Sequence, residues 1–171
     1  MNARLPLALT LAALLAGCQG TPRAALPDAS SKLPAAVLDI VENADQFEIM
    51  ALHPSPHSED GKPTESDDFH GYKILARAMV DATAEQDEVI THLYQGMLDS
   101  AGIVAACFNP RHGIRATRGK KTVDFVICYE CLSMQVRGPG DVTENVLTTQ
   151  EPGVALTEIW ARHGVKIHTG W

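Results

Sequence analysis

Three cysteines and two arginines around one short stretch of the chain are the side chains best equipped for chemistry. Cys107, Cys128 and Cys131 share that stretch with Arg111, His112 and Arg115, and Cys128-Tyr129-Glu130-Cys131 is a C-x-x-C. Sulfur so spaced has three ordinary uses. A structural disulfide, joining Cys107 to Cys131 or to Cys128, ranks first where the compartment is oxidising. A metal centre ranks second: three thiolates and one imidazole hold zinc tetrahedrally, with His112 or His70 as the fourth ligand. Zinc is the one cofactor in view, and the other readings require none. Thiol redox chemistry ranks last, because in a thioredoxin-like site the pair opens a helix whose N-terminus lowers the thiol pKa. Here the pair follows a strand and precedes a strand-like run, although an Arg111 beside Cys128 favours a thiolate. Arg111 and Arg115 are also the candidates for gripping a carboxylate or phosphate.

These groups need a hairpin to position them. Residues 112–117 and 122–128 flank Arg118-Gly119-Lys120-Lys121, and glycine at the first central position suits a two-residue type II′ turn. Counting outward, Ala116 faces Val123, Ile114 faces Phe125 and His112 faces Ile127, which makes one apolar face. On the other face Arg115 lies opposite Asp124, an ion pair that suits a cross-strand position, and Arg111 comes opposite Cys128. A slip of one residue spoils both faces. The same register points His112 away from Cys128, which weighs against it as a ligand. It brings Cys107 near Cys131, subject to a bulge at Pro110. With Asp124 opposite, Arg115 reads more simply as half of a structural pair than as an anion site.

The run from Cys107-Phe108-Asn109-Pro110-Arg111-His112-Gly113-Ile114-Arg115 to Lys121-Thr122-Val123-Asp124-Phe125-Val126-Ile127-Cys128-Tyr129-Glu130-Cys131 resembles a group of small uncharacterised bacterial proteins, many of them secreted or lipid-anchored. Phe69-His70-Gly71-Tyr72 fits the same pattern. The resemblance covers about half of the mature chain and implies no activity.

The N-terminus explains why an oxidising compartment is expected. Arg4 precedes an apolar run over residues 5–16, too short for the roughly 20 apolar residues that span a bilayer. A charged start, a short apolar middle and small residues at the end make an export signal. Its end, Leu15-Ala16-Gly17-Cys18, resembles the lipobox of bacterial lipoproteins. That resemblance implies cleavage before Cys18, lipid on its thiol, and a membrane partner held through several acyl chains. It places the chain in the periplasm or at the cell surface. Gln19 resembles the pattern sent to the outer membrane in Gram-negative bacteria. With Cys18 consumed, three of the four cysteines remain. One disulfide and one leftover thiol is the simplest arithmetic.

About 150 residues follow the signal, enough for one domain with a core. The net charge of −7 makes the chain a poor partner for nucleic acid. Residues 1–17 read as signal, 18–32 as anchor and flexible tether, and 33–171 as the domain. Leu33, Val37, Ile40 and Val41 share a helical face, with Pro34 in the first turn. Residues 47–52 suit a short strand, and 53–69, rich in Pro, Ser and acid, suit a loop. Tyr72, Ile74, Ala76, Ala78 and Val80 alternate as in a half-buried strand. Thr83 with Gln86 has the form of a capping box, opening a helix that Gly102 ends. Residues 103–108 and 132–136 read as strands. A last helix over 152–163 buries Leu156, Ile159 and Trp160. The order suggests an α+β fold, a mostly antiparallel sheet with packed helices. No glycine-rich phosphate loop, G-x-S-x-G or H-E-x-x-H occurs. His53 and His57, near Glu59 and Asp60, read as a surface loop before a cation site.

Two functions fit: a non-enzymatic, lipid-anchored binding or structural module, or a metal-binding or thiol-redox protein built on Cys107, Cys128 and Cys131. An ordinary disulfide with a buried third thiol favours the first. Three sulfurs converging on one point favour the second.

Overall fold

The alternating and amphipathic stretches settle into strands and helices in the computed structural model, which describes Arg23, residues 25–56 and residues 67–168. In chain order they are α1 (Ala35–Glu42), β1 (Gln46–Pro56), β2 (Asp68–Phe69), β3 (Tyr72–Met79), α2 (Thr83–Leu98), β4 (His112–Arg118), β5 (Lys121–Cys128), β6 (Ser133–Arg137), β7 (Thr143–Leu147) and α3 (Glu151–Arg162). The strands form one antiparallel sheet in the order β2-β3-β1-β4-β5-β6-β7. This is an α+β fold in a single domain. No described helix is long and apolar enough to cross a membrane.

Pleating sends alternate side chains to opposite faces. Phe47, Ile49, Ile114, Phe125 and Met134 join the three helices in the main core, where Val37, Leu93 and Trp160 are fully covered. On the other face Met50, Leu52, Val126 and Phe69 make a smaller cluster, with Tyr72, Ile74 and Phe108 packed against it. The interior strand β1 is therefore covered on both sides, so Ile49, Met50, Ala51 and Leu52 are buried without a break. Gly113 has a packing reason: a Cβ there would sit 3.1 Å from the Phe69 ring. Strand glycines mark such close approaches.

The hairpin keeps the expected register throughout, with Ile114 opposite Phe125, Arg115 opposite Asp124 and Arg118 opposite Lys121. The last helix also fits, burying Leu156, Ile159 and Trp160. Other expectations need correction. β1 runs on to Pro56 because its far end pairs with Tyr72 of β3, and Phe69 is in a strand rather than a loop. Thr83 makes no capping hydrogen bond; the N-cap is Ala82, and Gln86 instead donates to the Val80 carbonyl. Residues 103–108 form no strand, and Ile103 and Val104 are 65% and 54% exposed. The described part of the expected tether has no helix or strand, yet it packs onto the domain. Ala29 is buried, Leu26 touches the main core, and Arg23 Nε donates to Asp87 Oδ2 at 2.8 Å. Cys18, His57, Glu59 and Asp60 lie outside the described residues.

Candidate functional site

At the end of the hairpin the chain makes a tight turn from β5 into β6, and the C-x-x-C is that turn. Backbone hydrogen bonds from Cys131 to the Cys128 carbonyl (3.2 Å) and from Leu132 to the Tyr129 carbonyl (3.3 Å) close it. Leu132 takes the left-handed conformation, φ 57°. The turn brings the two Cα atoms to 5.1 Å, and Cys128 and Cys131 are bonded as a disulfide. Bridges span Cα separations of about 4.4–6.8 Å. Cys107 is therefore the leftover thiol, and the disulfide joins neither of the pairs expected to involve it. The reason is local: a closed four-residue turn holds its own two sulfurs together, while Cys107 sits in an irregular segment.

Cys107 is nevertheless held close. Ala105 N–H donates to the Cys131 carbonyl at 3.1 Å, Asn109 N–H donates to Cys131 Sγ at 3.3 Å, and Phe108 packs into the smaller cluster beside Tyr72. The Cys107 thiol consequently lies 3.6 Å from Cys131 Sγ. It is exposed, whereas Cys128 and Cys131 are buried. Cys131 N–H also approaches Cys128 Sγ at 3.2 Å. The convergence of three sulfurs is as expected; the pairing among them is not.

His70, His112 and Arg115 have partners other than the sulfurs. His70 Nε2 is 2.7 Å from Asp124 Oδ2, on a residue four places up β5 from Cys128, roughly 13 Å along the strand. His112 is buried among Tyr129 and Trp160. Its Nε2 is 3.1 Å from Thr157 Oγ1, which itself donates to the Gly153 carbonyl, so the ring nitrogen is the donor. Burial, with the Arg111 charge adding to it, pushes the His112 pKa down to about 3. Arg115 donates Nε and Nη2 to the two Asp124 oxygens, each at 2.8 Å, and its guanidinium covers the Phe69 ring at 5.2 Å. Burial raises the Asp124 carboxyl, but hydrogen bonds from Arg115 and His70 outweigh it and hold the carboxyl below its ordinary range. Arg115 is thus half of a structural pair. Among the described residues no three His, Cys, Asp or Glu side chains are grouped so as to hold a metal ion.

Arg111 leads to a feature that the sequence did not signal. It is buried, donates to the His168 carbonyl at 2.8 Å and approaches Glu130 at 3.4 Å. It stands in a cleft of about 490 Å³ between the C-x-x-C turn and α3, also lined by Tyr129, His112, Val154 and Ile167. Tyr129 and Glu130, the two residues between the cysteines, form one wall. Tyr129 can pack closely on α3 because residue 153 is glycine: a Cβ there would sit 2.9 Å from the tyrosine ring. These contacts join residues far apart in the chain, and no motif announces them.

Comparison with known proteins adds no relative: no family model, no curated protein and no solved structure matches the chain.

Proposed function

We propose that the chain is an exported, lipid-anchored protein of the periplasm or cell surface whose domain performs thiol–disulfide exchange. One observation carries the exchange reading: an exposed Cys107 thiol 3.6 Å from a sulfur of the Cys128–Cys131 disulfide. That separation is close to the ~3–3.5 Å of a near-attack pair.

The step balances without an external oxidant. The Cys107 thiol gives its proton to water, and the thiolate attacks Cys131 Sγ. The Cys107–Cys131 bond forms, the Cys128–Cys131 bond breaks, and its electron pair leaves on Cys128 Sγ. The Cys131 N–H is in place to stabilise that leaving thiolate. Burial of Cys128 opposes it, so the Cys128–Cys131 form is the ground state and the exchanged form the minor one. An external disulfide enters at the exposed thiol: Cys107 attacks it, forms a mixed disulfide and releases one thiol.

Anchoring rests on Leu15-Ala16-Gly17-Cys18. Arg23 is already bound to Asp87, so a lipid on Cys18 leaves five residue steps, at most about 18 Å of reach. The domain is then held close to the membrane rather than lifted from it.

The test uses the chain from Gln19 onward, which keeps every described residue and omits the anchor. With glutathione disulfide, one glutathione per chain is expected, on Cys107, together with a minor population of Cys107–Cys131 peptides. A chain that takes up no glutathione and never shuffles its disulfide refutes the exchange reading.

A further inference from the structure

The cleft beside the C-x-x-C has no part in the exchange step, yet it shares a wall with it. We infer that this cleft binds a small, mainly apolar, uncharged molecule, and that the Cys128–Cys131 bond holds the cleft in its binding shape. The second half of this inference rests on the exchange reading above.

Size and chemistry define the ligand. A volume of about 490 Å³ falls in the 300–1,000 Å³ range of small-molecule sites. Val154 and Ile167 supply apolar surface, and Val154 is 68% exposed. The charges in the cleft answer one another, because Arg111 and Glu130 form an ion pair across it. Glu158 stands exposed at the rim, where water solvates it. Arg111 and Glu130 are engaged with each other and Glu158 is solvated at the rim, so an ionic ligand would have to break that pair to gain a counter-charge inside the cleft. His112 adds no charge near neutral pH, since burial holds its pKa at about 3. An uncharged apolar molecule opposes none of these groups and covers the exposed valine.

The coupling follows from the chain path. Tyr129 and Glu130 are fixed by a turn with two backbone hydrogen bonds, of 3.2 and 3.3 Å, and one disulfide. When Cys131 exchanges to Cys107, the covalent closure of that turn is lost. Tyr129, packed on Gly153 and edge-on to His112 at 5.3 Å, and Glu130, paired with Arg111, then lose the constraint that presents them to the cleft.

The experiment titrates the chain from Gln19 onward with N-phenyl-1-naphthylamine, a neutral apolar fluorophore. Saturable one-to-one binding is expected. Val154→Glu, an exposed change that leaves the circular dichroism spectrum unaltered, should weaken it at least tenfold. Reduction of the disulfide, verified by three free thiols and an unchanged far-ultraviolet spectrum, should weaken it at least fivefold. Cys107→Ser, which keeps the Cys128–Cys131 bond, should bind as the wild type does. No saturable binding, or binding indifferent to Val154→Glu, overturns the cleft as a ligand site. Binding that responds to Val154→Glu but not to reduction, or that falls only because the chain unfolds, overturns the coupling. Neither result touches the exchange reading, which stands or falls on glutathione uptake at Cys107.

Discussion

His70 Nε2 meets Asp124 Oδ2 at 2.7 Å, tying the segment before β3 to the hairpin across 54 residues of sequence. Asp124 also takes both Arg115 hydrogen bonds, so one buried carboxylate fixes three parts of the sheet. Asp124→Asn should cost about 2 kcal/mol, the size of hydrogen bonds to a charged group. The folded-state pKa of Asp124 is lowered, so its contribution is complete above the ordinary value of 3.8 and disappears as pH falls through the lower folded value. Urea denaturation of wild type and variant should differ at pH 6 and converge in strong acid. Equal midpoints at pH 6 would remove the triad from the account.

His112 has the opposite chemistry and a separate pH window. Its folded pKa of about 3 lies below the ordinary 6.5, so the unfolded state binds the proton first. Stability due to His112 is complete above pH 6.5 and falls by about 1.4 kcal/mol per unit as pH drops toward the folded value. His112→Phe keeps a ring against Tyr129 and Trp160 and has no proton to bind. Denaturation midpoints between pH 7 and pH 4 should fall for the wild type and stay flatter for the variant. Parallel slopes would contradict the buried neutral ring.

Gly153→Ala should destabilise the domain by about 1–3 kcal/mol through overpacking, although alanine is the better helix former by about 1 kcal/mol. The new Cβ would lie 2.9 Å from Tyr129, and an aromatic ring carbon cannot swing aside as a flexible chain end can. Thermal unfolding measures it. A stabilised variant would mean that Tyr129 does not pack on α3.

Under the proposed anchoring, which makes the Cys18 thiol the acylation site, Cys18→Ser should release the protein from membranes or leave it unprocessed. Fractionation that finds the variant firmly on the membrane would sink the lipoprotein reading.

The hairpin was legible because three local signals agree on one register: the Gly119 turn, the apolar alternation from Ile114 to Phe125, and the opposed charges of Arg115 and Asp124. The α3 face was legible from its period. Where burial is two-sided, as along Ile49 to Leu52, alternation disappears, and the reach of β1 to Pro56 depended on Tyr72, a distant partner. Residues 103–108 are as apolar as a strand, but they gain no ladder; Ala105 N–H donates to the Cys131 carbonyl, the Cys107 thiol lies against Cys131 Sγ, and Phe108 is anchored in the smaller cluster. Cys107 could be placed near the C-x-x-C by counting register. Which two sulfurs bond depended on the closed turn, which spacing alone did not decide. The cleft was invisible because its walls come from the turn and from α3, and the glycine that admits Tyr129 has no signature.

The approach of Cys107 to Cys131 is tested most directly by removing the third sulfur. In Cys128→Ser, two thiols remain beside each other, at the 3.6 Å seen between Cys107 and Cys131. Oxidation of the variant in air, followed by peptide mapping, should give a Cys107–Cys131 disulfide within one chain and no free thiol. Two free thiols, or disulfides formed only between chains, would contradict the convergence of the sulfurs and the exchange built on it.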